Sequence, residues 1–170
     1  MKSNRKQLFT VLLCIVSIAV FAVGCSAPSG SKEMETEKVA VNFANEVVKG
    51  GYKIVSTGEL KKWIDEKKDM LIVDTMPYED SYKKQHVPGA VQFEFPVKEV
   101  TSLDDKTKAG YEKLLGPDKD RLIIIYCGFT KCGRSHNGAM WAVKMGYRNV
   151  YRYPGGIKGW MEAGYPVQKG

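Results

Sequence analysis

The sequence is poor in the residues from which metal sites, disulfide frameworks and nucleic-acid surfaces are built. It holds four cysteines and two histidines in 170 residues. Cys127, Cys132 and His136 have no fourth ligand and no second cysteine pair at a zinc spacing, so neither a metal nor another cofactor is expected. No basic stripe interleaved with aromatics appears, which sets nucleic acid aside as a partner. The net charge of +7 includes Lys2, Arg5 and Lys6 of the extreme N-terminus, and without them it is a modest +4. There is no internal repeat. The one long apolar run, Leu8 to Val23, falls short of the roughly 20 residues that a spanning helix needs.

That run follows the basic n-region and reads as a secretory signal over residues 1–24. Its end, Ala22–Val23–Gly24–Cys25, resembles the lipobox of bacterial lipoproteins. The resemblance implies cleavage before Cys25 and lipidation of that cysteine, which puts the protein outside the cytoplasm on a membrane of the cell envelope. Two or more acyl chains would make the anchor stable, since one chain binds only marginally. An uncleaved anchor, or an ordinary signal peptide that leaves Cys25 a free thiol, are the alternatives.

Residues 25–51 are expected to form a flexible tether, polar over Ser26–Lys38, with a short helix at Val39–Val48 stopped by Gly50–Gly51. The domain is expected over 52–170. It opens with a strand at Tyr52–Val55 and a helix whose capping box is Ser56 with Glu59. Leu71–Ile72–Val73 is a buried strand closing on Asp74, and Ala90–Phe93 is a short one. Asp104 to Leu115 reads as a surface helix, Asn149 to Tyr153 as a last strand, and a short helix surrounds Trp160. Strands alternating with helices imply βαβ units and a parallel sheet.

The reactive feature lies between these elements. Leu122 to Tyr126 is apolar, rich in β-branched residues and too short for a helix, so it reads as a central strand. Cys127 follows it directly, then Gly128–Phe129–Thr130–Lys131–Cys132–Gly133–Arg134, then a helical pattern from Ser135. A cysteine at the carboxyl end of a parallel strand, beside a helix N-terminus, is placed to react. Once the signal is removed and Cys25 is acylated, Cys127 and Cys132 are the remaining cysteines. A disulfide between them would close a tiny ring and be regulatory or catalytic before structural.

Four segments in order resemble the single-domain rhodanese family of sulfurtransferases. They are Leu71–Asp74, His86–Val87–Pro88–Gly89–Ala90, the Tyr126–Cys127 loop, and Gly155–Gly156 with Trp160 and Gly164–Tyr165–Pro166. The resemblance implies an α/β fold with a central, mostly parallel five-stranded sheet and helices on both faces. It also implies transfer of sulfane sulfur from a small sulfur-containing anion, thiosulfate or polysulfide, through a cysteine persulfide to a thiol or other thiophilic acceptor. Two departures stand out. Met76 replaces an arginine common two residues after the strand aspartate, and the loop from Cys127 through Arg134 is longer than the six residues usual in these enzymes.

Carried onto this chain, the nucleophile is Cys127, with Cys132 as alternative or resolving thiol. Residues 128 to 134 form the substrate cradle, in which Gly128 and Gly133 supply special backbone angles for an anion nest and Lys131 and Arg134 draw a dianion. The Cys127 thiol is then expected to ionise near or below neutrality. A two-cysteine thiol–disulfide or persulfide redox protein, and a non-catalytic sulfur carrier, remain as rival readings.

Overall fold

A computed structural model describes residues 31–170, so the signal segment and Cys25 lie outside the described residues. Residues Glu35–Gly170 form one compact body. In chain order the elements are α1 (Ser31–Gly50), β1 (Lys53–Ile54), α2 (Thr57–Asp65), β2 (Leu71–Asp74), a π-helical turn at Tyr78–Tyr82, β3 (Val91–Gln92), α3 (Asp105–Leu115), β4 (Ile123–Tyr126), α4 (Arg134–Lys144), β5 (Val150–Tyr153) and α5 (Gly156–Glu162). The five strands form one sheet of order β1-β5-β4-β2-β3, and all four pairings are parallel. An isolated antiparallel bridge joins His86 to Gln168. Among the described residues, no helix is long and apolar enough to cross a membrane.

The two strands at the centre are apolar on both faces because each face is covered. On β4, Ile123 and Ile125 enter one core with Tyr111 and Leu115 of α3 and Ala139 and Ala142 of α4. Ile124 and Tyr126 enter the other, with Leu60 of α2 and Ile157 and Trp160 of α5. The alternation follows from the two-residue period of a strand. Asp104 caps α3 by accepting from the Thr107 N–H at 2.9 Å, and the Ser56–Glu59 capping box opens α2 as expected.

The largest difference from expectation is α1. In place of a tether with a short helix at Val39–Val48, one helix runs from Ser31 to Gly50. The 31–38 segment carries no apolar period, yet Glu, Lys and Met are good helix formers. Val47 packs against the first core, and Lys49 pairs with Glu99 at 2.6 Å. This helix packs against the domain over its C-terminal half.

Candidate active site

The reactive loop leaves β4 at Cys127 and enters α4 at Arg134. Three neighbours hold it. The N–H groups of Ile157 and Lys158, at the start of α5, bind the carbonyls of Cys127 and Gly128 at 3.0 Å each. Gly156 permits that approach: its φ is +61°, and a Cβ there would collide with the Cys127 carbonyl oxygen. Across the loop, a Cβ on Gly133 would strike the Val97 carbonyl. Gly133 itself sits at φ −74°, and neither it nor Gly128 takes a left-handed backbone. The expectation that these two glycines supply unusual angles is therefore corrected, since Gly133 is needed for space.

Helix α4 has no side-chain N-cap. Its free N–H groups turn to sulfur instead: that of Arg134 binds Cys132, and that of Ser135 binds Cys127. Both thiols are free and buried, Cys127 at 2% exposure and Cys132 at 7%. Their surroundings differ in sign. The Cys127 sulfur lies 3.3 Å from the Cys132 carbonyl oxygen and 3.8 Å from that of Phe129, company that suits an S–H donor. Burial pushes the Cys127 thiol up, and Cys132 beside it adds to the shift. Cys132 receives a hydrogen bond from Cys127 and the N–H groups of Arg134 and Gly128, which bring it down to about 6. The surroundings of Cys132 thus favour a thiolate more than those of Cys127, chiefly through the hydrogen bond that Cys127 donates to it.

Arg152 of β5 organises the loop from below, and nothing in the sequence pattern singled it out. It is 1% exposed. Its Nη2 donates to the Cys132 carbonyl at 3.1 Å and reaches the Thr130 carbonyl at 3.5 Å. Its Nε donates to Ser135 Oγ at 2.9 Å, and Oγ lies 3.1 Å from the Cys127 sulfur. With a lone pair of Oγ taken by the guanidinium, the hydroxyl proton is free to point at Cys127. Nη1 donates to Tyr52 Oη at 3.0 Å and pairs with Glu46 of α1, while the guanidinium stands 4.9 Å over the Phe43 ring. Tyr52 Oη continues to His136 Nδ1 at 2.8 Å, and His136 Nε2 lies 3.5 Å from Glu99. Burial holds that imidazole below its ordinary pKa.

The other expected cradle residues fall into two groups. Phe129, Thr130 and Lys131 are exposed at the loop tip. With Val39 and Lys158 they line an open groove of ≈ 410 Å³. Arg134, by contrast, turns its guanidinium to Glu94 at 3.2 Å and to the Phe95 carbonyl, so its charge is spent on the 94–95 segment. Its backbone N–H serves the site more directly than its side chain. Trp141 donates to the Val100 carbonyl at 3.2 Å and packs on the first core, away from the groove. Among the described residues, no group of three His, Cys, Asp or Glu side chains is arranged to hold a metal.

Asp74 at the end of β2 shows the cost of Met76. Its Oδ1 accepts from the Met76 N–H at 2.9 Å, while Oδ2 is buried without a hydrogen-bond partner. Burial raises its pKa to about 6, against 3.8 ordinarily. A raised carboxyl pKa means that the folded state holds the proton more tightly. The stability it contributes is full below pH 4 and is lost as pH rises through about 6, a swing of roughly 3 kcal/mol. Asp74→Asn is therefore expected to raise the urea midpoint at pH 7.5 while changing it little at pH 4. Equal shifts at both values would show that burial of this charge is not the cause.

The rhodanese-like domain family matches residues 56–163. No curated protein sequence matches the chain significantly. Among solved structures, the BH2092 protein from Bacillus halodurans is similar at 18% identity and a TM-score of 0.55, over 79% of this chain and 86% of its own. A polysulfide-sulfur transferase homodimer from Wolinella succinogenes is similar at 13% identity and 0.56, over 84% and 95%. A thiosulfate sulfurtransferase from Pseudomonas aeruginosa gives 17% and 0.57, over 78% of this chain but 23% of that longer one. At these identities the likeness speaks for the fold. With the matched segment spanning more than half of its length, the chain belongs to the rhodanese-like domain family.

Proposed function

We propose that this protein is a sulfurtransferase that accepts sulfane sulfur from thiosulfate or polysulfide as a cysteine persulfide and passes it to a thiophilic acceptor. The observation that carries the reading is the pair of free cysteines between β4 and α4, with the N–H groups of Gly128 and Arg134 drawing the Cys132 thiol below its ordinary pKa. A thiolate there attacks the outer sulfur of thiosulfate, sulfite leaves, and the same N–H groups hold the persulfide anion. The fold shared with a thiosulfate sulfurtransferase and a polysulfide-sulfur transferase supports the same class of reaction. Lys131 at the groove favours an anionic donor, while Lys158 is paired with Glu162 at 3.8 Å.

The test is sulfur loading followed by intact mass, with thiocyanate formation from thiosulfate and cyanide as the rate. Cys132→Ser is expected to abolish both. Cys127→Ser is expected to keep a persulfide, seen as a gain of about 32 Da. Loading that survives in Cys132→Ser and vanishes in Cys127→Ser would move the nucleophile to the residue directly after β4. Absence of loading in every form would leave a binding module.

Cys25 supports a second proposal, that the mature chain is held at a membrane by a lipid on that residue. In cell fractionation, Cys25→Ser is expected to move the protein from the membrane pellet to the soluble fraction. An unchanged distribution would remove the lipid from the account.

A further inference from the structure

Transfer through one persulfide leaves Cys127 without a task. Its thiol is nearly sealed from solvent, so an outside donor has poor access to it. Yet it is hydrogen-bonded to Cys132 and served by a Ser135 hydroxyl whose direction Arg152 sets. Of these contacts the Ser135 hydroxyl favours negative charge on the Cys127 sulfur, while the hydrogen bond to Cys132 keeps it a thiol until Cys132 is no longer a thiolate. That moment arises when Cys132 carries the sulfane sulfur.

Resting on the sulfur-transfer reading, we propose that Cys127 resolves the Cys132 persulfide internally, releasing hydrosulfide and leaving a Cys127–Cys132 disulfide that an external dithiol reduces. The Cys127 sulfur attacks Cys132 Sγ, and the bond from Sγ to the outer sulfur breaks. The outer sulfur departs with that electron pair and takes the Cys127 proton, leaving as HS⁻. The two cysteines together lose two electrons and the sulfane sulfur gains two. A dithiol of thioredoxin type then exchanges with the disulfide and returns both thiols. The Ser135 hydroxyl steadies the Cys127 sulfur as its proton leaves, and Arg152 keeps that hydroxyl aimed. Exposed Phe129, Thr130 and Lys131 form the part of the ring free to adjust as the sulfurs join.

The experiment uses the full chain, reduced, freed of reductant and mixed with thiosulfate in the absence of any acceptor. Sulfite is the donor's leaving group, so hydrosulfide can come only from the protein-bound sulfur. Wild type is expected to release about one hydrosulfide per chain and to end about 2 Da lighter. Cys127→Ser is expected to stop at the persulfide, about 32 Da heavier, with hydrosulfide release at least tenfold lower. Ser135→Ala is expected to lower the rate of hydrosulfide release relative to its own rate of persulfide loading by several-fold. A wild-type chain that keeps its persulfide as long as Cys127→Ser does would overturn the inference while leaving sulfur transfer standing. Failure of both wild type and Cys127→Ser to load from thiosulfate and from polysulfide would overturn both.

Discussion

Replacing Arg152 by methionine is expected to cost about 3–5 kcal/mol of stability. The guanidinium is buried, and its removal strands several groups at once. Glu46 loses its counter-charge, the Cys132 carbonyl and Ser135 Oγ lose their donors, and Tyr52 Oη loses one of two partners. Each orphaned buried polar group costs about 1–3 kcal/mol and the terms are not additive. Glu46→Met should also be costly, because it leaves the buried Arg152 guanidinium without its counter-charge. The double variant Glu46→Met with Arg152→Met should recover part of the loss, and urea melts of all four forms measure the coupling. Additive losses would show that the pair is not a unit. Arg152→Lys restores the charge without the fork and should recover little, since one ammonium cannot reach the carbonyls, Ser135 and Glu46 together.

Alkylation by iodoacetamide should show a midpoint near pH 6 in the reduced protein, where an ordinary thiol gives about 8.5. At pH 7 that is a thiolate fraction of roughly 0.9 against 0.03, so Cys132→Ser should lower the labelling rate by about thirtyfold. Cys127→Ser keeps a hydroxyl that can donate, so the midpoint should stay within about one unit, whereas Cys127→Ala should raise it. The depressed pKa also bears on stability. The contribution is present above the unfolded thiol's value and is lost as pH falls through about 6. It runs opposite to Asp74 and over a higher pH range, so Asp74→Asn should remove the recovery of stability that wild type shows between about pH 6 and pH 4. A labelling midpoint above 8 in wild type would return the anion to Cys127 or to neither sulfur.

The frame of the molecule was legible because it rests on local signals. An apolar run with β-branched residues can only be a covered strand, and Ser56 and Asp104 each announce the helix that follows. Cys127 and Cys132 were legible as candidates for a reactive pair for the same reason, their position between a strand and a helix. Arg152 was not. In Val150–Tyr151–Arg152–Tyr153 an alternating pattern reads a charged residue as facing water, and only the docking of α1 and α4 over β5 makes that face an interior. The choice between the two thiols stayed open, with Cys132 as the alternative to Cys127. It depends on which sulfur the N–H groups of Gly128, Arg134 and Ser135 address, which spacing along a loop does not set. Arg134 misled because its place in the loop suggested a charge for a dianion, whereas Glu94 and the Phe95 carbonyl capture its side chain.

Glu46 lies ten residues before the segment that matches the family, which begins at position 56. A gene fragment trimmed to that segment would encode every strand from β2 onward and both thiols, yet it would carry the Arg152 cation with no anion to neutralise it. The boundary of this unit is thus drawn by charge balance. Excision that respects only the matched segment would yield a chain whose weakest point lies directly beneath its reactive loop, so α1 and the sheet belong to one unit.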